Sequence, residues 1–368
     1  SIDQVRIYST ALTSSQVTQL YNEKPEVDTS NFKTVLYEGN GTTNYISNVG
    51  MDLETDGGFV WVKSRDTAYY HRVFDSVRGL STDGVLYPST TDDADNLPSV
   101  NDNFTSFDAN GFTLGSTSST NGSNFNGDSF VAWCWKAGGN SNTYNVDDTG
   151  YSTASDAGLS SANGTTLNGA SVNTQAGFSI INYETNINGD NRPAHGLTQE
   201  PELVIFKPYD TSALGWYVMT KKIDGSVDFL FLNTSDAKIN AGTNEFIDST
   251  HFRTSFGTSW GSVIAYCFHS VAGYSKIGTY SGNSNTQTII TGFKPSFVMI
   301  KTINTVSNWV IFDDKRPGEY LMPSLPSIGY SSTDMVTSFV SNGFTLGADV
   351  STAAVNWSGA NYIYMAFK

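Results

Sequence analysis

The chain has 368 residues, a net charge of −15, 15% charged and 13% aromatic residues, and 34 glycines. The acidic balance argues against nucleic acid and anionic membrane as partners, since both need a cationic patch, and the aromatic content argues against a disordered chain. Abundant Gly, Ser, Thr and Asn argue against helices and for short strands joined by tight turns, while no apolar run approaches the roughly 18 residues of a membrane span.

The chain begins at Ser1 with neither Met nor a signal-peptide pattern, so it reads as a fragment or a processed product. In residues 1–25, Ile2, Val5 and Ile7 suggest a strand. Thr13–Gln16 is a capping box, followed by Val17, Leu20 and Tyr21 on one short helix face.

Three anchors then recur. A strand ending in Lys appears as FVWVKS from Phe59, LVIFKP from Leu203 and FVMIKT from Phe297. A second strand follows, as HRVFD from His71, WYVMTK from Trp216 and WVIFDD from Trp309. The third is SFVAWCWKA from Ser129, SVIAYCFHS from Ser262 and NYIYMAFK from Asn361, preceded in the first and last cases by NFNGDSF and NWSGANY. With the lead-ins from Lys33, Gly177 and Gly273, these define three copies at 32–139, 176–271 and 272–368. At roughly a hundred residues each they read as tandem antiparallel sandwich-like β-domains, independent and in series, building a rod.

The last strand of each copy alternates. Val131, Trp133 and Trp135 share a large face matched by Ile264, Tyr266 and Phe268, and by Ile363, Met365 and Phe367. The small face carries Cys134, Cys267 and Ala366 in turn, so the cysteines should be buried free thiols in equivalent places, not a bridge. NGFTLG occurs at Asn110–Gly115 and again at Asn342–Gly347, and predicts a hairpin with Asn-Gly in a type I′ turn and the flanking Phe side chains inward. The middle copy reads HFRTSFGTSWGS there, a shorter connection. Residues 140–175, rich in Ser, Thr, Asn and Gly, read as a linker or surface arm with short structure near Tyr144 and Tyr151.

Chemistry-bearing patterns are sparse. His71, His195, His251 and His269 have no partners at metal-site spacing and suit turns or the surface. Asp92, Asp93 and Asp95 lack a full calcium loop, Asp147-Asp148 likewise, and Asp313-Asp314 sits beside Lys315-Arg316, where local charge pairing is expected. No nucleophile elbow or phosphate loop occurs. No catalytic residue, metal or cofactor is therefore expected. Tyr69, Tyr70, Trp216, Tyr217 and Trp309 occupy corresponding places after the Lys strands. They are either core or the aromatic platform of a ligand site.

Residues 1–25 resemble the closing strand and helix of a laminin-G/concanavalin-like jelly roll. The three copies resemble a repeated β-domain of virion proteins of marine tailed phages, including cyanophages, through His195-Gly-Leu197, Pro201–Lys207, Trp216, Ala265–Phe268, Gly273–Asn283, Val131–Gly139 and Tyr144–Tyr151. Copy three departs from this pattern, with Ile290-Thr-Gly-Phe293 in place of His-Gly-Leu. The resemblance implies a phage structural protein at the virion surface, a fibre, spike or other appendage that adheres to host glycan through repeated domains. Alternatives are a capsid decoration protein that binds only virion proteins, and a secreted glycan-binding module. Implied partners are other virion proteins, further copies of the chain (a trimer among the options) and host-surface polysaccharide. Divergence of the middle copy would make it the place to look for a specialised role.

Overall fold

The structure is a computed structural model that describes residues 11, 13, 31–80, 84–92, 104–116, 122–186, 188–211, 213–254, 260–331, 335–348 and 354–368. The expected jelly-roll segment, apart from residues 11 and 13, lies outside these. Copy one contains β1 (Phe32–Glu38), β2 (Asn44–Ile46), β3 (Gly58–Ser64), β4 (Arg72–Asp75), β5 (Phe104–Asp108), β6 (Gly111–Leu114) and β7 (Ser129–Lys136). Next come β8 (Tyr144–Val146), β9 (Thr149–Tyr151) and β10 (Thr166–Asn173). Copy two contains β11 (Phe178–Glu184), β12 (Leu203–Pro208), β13 (Tyr217–Thr220), β14 (Asp228–Phe231), β15 (Ile239–Asn240) and β16 (Ser262–Phe268). Copy three contains β17 (Ser275–Ser281), β18 (Gln287–Ile290), β19 (Phe297–Thr302), β20 (Val310–Asp313), β21 (Glu319–Tyr320), β22 (Tyr330–Ser331), β23 (Val336–Val340), β24 (Gly343–Leu346) and β25 (Asn361–Phe367).

The fold is all-β and antiparallel almost throughout. Each copy builds a sheet of one order: β1-β7-β3-β4, β11-β16-β12-β13 and β17-β25-β19-β20. Copies one and three add an outer three-stranded sheet, β2-β6-β5 and β18-β24-β23, that sandwiches the small face. Cys134 packs there in copy one and Ala366 in copy three, while Cys267 has its own core in copy two. Both cysteines are free and buried, and burial pushes both thiols up, Cys267 to about 12.

The large faces depart from the expected separate cores. Trp61, Trp133 and Trp135, with Ile205, Trp216 and Tyr266, and with Met299, Trp309 and Met365, form a single core shared by all three copies. The expected rod of independent units is thus replaced by one three-sided body. The physical reason is area: a fully buried indole contributes on the order of 4–6 kcal/mol, and a copy standing alone would leave that whole face in water.

The seams between copies are cyclic. Trp216 Nε1–H donates to the Tyr87 carbonyl of copy one at 2.9 Å, and Trp309 Nε1–H to the Phe231 carbonyl of copy two at 2.9 Å. His71, at the same position in copy one, faces the Met322 carbonyl of copy three. Leu86, Leu230 and Leu321, which precede these carbonyls, pair with Val73, Val218 and Ile311 in one common register.

Residues 140–175 do carry short strands at Tyr144 and Tyr151, but they are no linker. β10 pairs with β11 along its length and extends the copy-two sheet to nine strands. Ser171 Oγ accepts from Gly138 N at 2.9 Å, and Asn173 Nδ2 donates to Asn31 Oδ1 at 2.9 Å, so the segment also stitches copy one to copy two.

NGFTLG is a hairpin, with one correction. Asp108 pairs with Gly111 and Val340 with Gly343, so the two-residue loops are Ala109-Asn110 and Ser341-Asn342. The glycines serve another end: a Cβ at Gly111 would overlap the Ile46 carbonyl, and one at Gly343 the Ile289 carbonyl, because the third outer strand passes there. Phe112, Leu114, Phe344 and Leu346 are buried. The Gly115 and Gly347 carbonyls accept from buried Asn124 and Asn356 at 2.9 and 2.6 Å. A two-residue turn with positive φ at both positions does occur, at Asp147-Asp148.

Candidate functional site

Strand direction gives the body two poles. Phe32 lies opposite Trp135 and Ser275 opposite Phe367, so consecutive copies are joined at one pole, where the Phe32 and Phe367 rings stack 5.3 Å apart. Ser64 opposite Phe130 and Thr302 opposite Tyr362 mark the other, distal pole. There the loops that leave the Lys strands are described at 65–70, 209–211 with 213–215, and 303–308.

Two devices recur at the distal pole. The first is the strand's lysine. Lys63, Lys207 and Lys301 have no solvent exposure. Lys63 Nζ donates to the Ser64 and Thr67 carbonyls at 2.6 and 3.2 Å, Lys207 to Leu214 and Thr91 at 2.6 and 3.2 Å, and Lys301 to Thr302 and Ser235 at 3.1 and 3.3 Å. Burial, then the Arg72 and Arg316 charges, lower Lys63 to about 7; burial lowers Lys301 to about 8. The second is a side-chain oxygen that accepts the first N–H of the last strand: Asp66 from Ser129 at 2.7 Å, Asp210 from Ser262 at 2.9 Å, Asn304 from Asn361 at 2.8 Å. Each distal loop is thus tied to the last strand of its copy by one side-chain oxygen.

The aromatic candidates divide between the two readings left open. Trp216 and Trp309 are fully buried seam residues in the shared core. Tyr217 is half-buried, stacked between Phe206 and Trp260 at 5.1 and 5.3 Å. Tyr69 and Tyr70 are half-buried on the distal pole, edge-on to Phe125 and Tyr87. The candidates therefore do not form one cluster.

Of the histidines, expected in turns or at the surface, His195 does lie in a turn and His251 is partly exposed, whereas His71 is in the core and His269 is buried. His71 is a core residue that accepts from Trp61 Nε1–H on Nδ1 at 2.9 Å, and burial followed by the Lys63 and Arg316 charges holds it well below the ordinary range. His195 is buried in a turn, where Nδ1 accepts from Leu197 N at 3.1 Å and Gly196 has φ 72; burial lowers it to about 4. His251 Nε2 lies 2.8 Å from the Ser160 carbonyl, and buried His269 meets Gln199 at 2.8 Å. Asp147 accepts from Thr174 and Asp148 lies 3.8 Å from Lys136. Asp92 is described and Asp93 and Asp95 are not. Asp313 pairs with buried Arg316 at 2.5 Å, as local charge pairing required. No grouping of three metal-ligand side chains occurs among the described residues.

One residue escaped the sequence reading. Of the seven tryptophans, six are at most 7% exposed and Trp357 is 43% exposed, in a turn on the distal pole of copy three. Its motif, NWSG, stood out only as a repeat marker.

A protein-family profile described as Domain of unknown function (DUF7483) matches residues 28–368, which takes in all three copies. No curated protein matches the chain. The chain belongs to the DUF7483 family.

Proposed function

We propose that this DUF7483 protein is a structural protein of a phage particle, displayed at the virion surface, that adheres to host-surface polysaccharide through its distal pole. The observation that supports this is polarity: the ends of the first and last strands at Phe32 and Phe367 share one pole with the copy junctions, and the distal loops lie at the other. The near pole is then the side for other virion proteins. Because the copies share a core, one chain is one rigid head, and avidity comes from several chains per particle. Self-association, including a trimer, is measured by light scattering of the purified protein.

A glycan array and immunogold labelling of particles test the reading together. Binding to host polysaccharide with label on tail or surface appendages is the expected result. Label confined to the capsid shell without glycan binding would instead establish a decoration protein, and glycan binding without any label a secreted module.

A further inference from the structure

We infer that the copy-three corner of the distal pole is a binding site for a neutral hexopyranose unit, with the Trp357 indole as its platform. The inference rests on the adhesive reading above and names the place and the ligand class.

Comparison of the copies carries it. The loops 64–70 and 302–308 have equal length between Lys63 and His71 and between Lys301 and Trp309, so they align residue for residue. In copy one the counterpart of Trp357 is Phe125, which is half-buried, with Tyr69 edge-on at 6.3 Å. In copy three the place of Tyr69 is taken by Ser307, and no ring among the described residues contacts the Trp357 indole. A second change coincides. The carboxylates Asp66 and Asp210 become the amide Asn304, which keeps the strand contact and uses its Nδ2 to donate to the Gly359 carbonyl at 3.0 Å. One substitution leaves no ring at the place of Tyr69, and the other puts an uncharged amide where the other copies carry a carboxylate, bonded to the turn at Gly359.

The turn bearing the indole is fixed from both sides. Trp357 N donates to Tyr362 Oη at 2.8 Å, Ser358 N to Ser284 Oγ at 2.9 Å, and Ser284 N to the Asn356 carbonyl at 2.7 Å. Asn283, Asn285 and Ser358 are exposed and uncharged, and Asn356, next to the indole in sequence, accepts from Asn283 N at 3.1 Å and donates to the Asn285 carbonyl at 2.6 Å. An indole exposed at a fixed angle in an amide and hydroxyl frame suits the apolar C–H face of a pyranose, whose hydroxyls meet the frame. Among the described residues no lysine or arginine bonds to this turn, which favours a neutral sugar over a sulfated or uronic-acid one.

The test uses the whole chain and a panel of immobilised neutral and anionic oligosaccharides. Neutral hexose oligomers should bind, and titration with a bound one should shift one of seven indole N–H signals in a nitrogen-correlated NMR spectrum. Trp357→Ala should weaken binding at least tenfold with an unchanged melting temperature, and Ser307→Tyr, which restores the copy-one cover, should do the same. If both variants bind like the parent, this site is wrong while the adhesive reading stands. If only anionic sugars bind, the ligand class is wrong. If the parent binds nothing, the adhesive reading falls and the site with it.

Discussion

Trp133 Nε1–H donates to Asp313 Oδ2 at 3.0 Å across 180 residues of sequence, inside the seam between copies one and three. Its counterpart is Tyr266, whose hydroxyl donates to Asp75 Oδ2 at 2.8 Å between copies two and one. The third seam carries Met365 where the others have Trp and Tyr, and Thr220 where they have Asp. The arginines follow suit: Arg78 and Arg316 pair with the aspartates at 2.6 and 2.5 Å, and copy two has Ile223 instead. Donor, acceptor and counter-charge are thus present together or absent together.

Asp313→Ala should therefore be severe, because it leaves Arg316 buried without its partner. We expect a loss of about 3–5 kcal/mol, read by urea unfolding. Trp133→Phe, which removes one donor and keeps the ion pair, should cost about 1–2 kcal/mol from the bond, plus lost packing.

The protein should lose stability in acid partly through His71. Trp61 donates to Nδ1, so the folded ring is neutral there, and its pKa lies well below the ordinary value. The unfolded chain takes up a proton that the folded chain refuses, so this contribution is lost as pH falls below about 6.5. The double variant Trp61→Ile, His71→Trp copies the pairing in copy two and should flatten the melting temperature between pH 4 and 7.

Lysine 63 acts in the same direction at higher pH. Its folded pKa of about 7 lies below the unfolded value. Stability should therefore rise from about pH 7 towards pH 10, where the unfolded chain also loses its proton. Lys63→Met should reduce that rise in thermal melts, even though it also frees the Ser64 and Thr67 carbonyls.

Gly111→Ala and Gly343→Ala should each destabilise by about 1–3 kcal/mol, since a Cβ meets a backbone carbonyl that cannot swing aside. Cys134→Ala should cost about 1 kcal/mol or less, because one missing sulfur leaves a small void and copy three already holds Ala366 at that place. Chemical denaturation of the three variants ranks them directly.

The copies and their strand faces were legible because side chains in a strand alternate with period two and equivalent positions need equivalent volumes. The shared core also has a mark in the sequence. FVWV, LVIF and FVMI show no polar alternation, which marks strands covered on both faces; in β3 every residue is buried. The Asn-Gly turn was misplaced because the need for glycine came from Ile46, a residue of another strand. Trp357 could not be judged from NWSG alone, since the equivalent NFNG places a half-buried Phe125 and the exposure of the ring is set by groups outside the motif.

A ring of three like units is usually assembled from three identical chains, and each change must then suit all three joints at once. Here the ring is closed within a single polypeptide, with Trp216, Trp309 and His71 at its joints. A substitution at one joint carries no obligation to the others. His71, the Met365–Thr220 seam and the bare indole of copy three are departures that a symmetric homotrimer could not make one at a time.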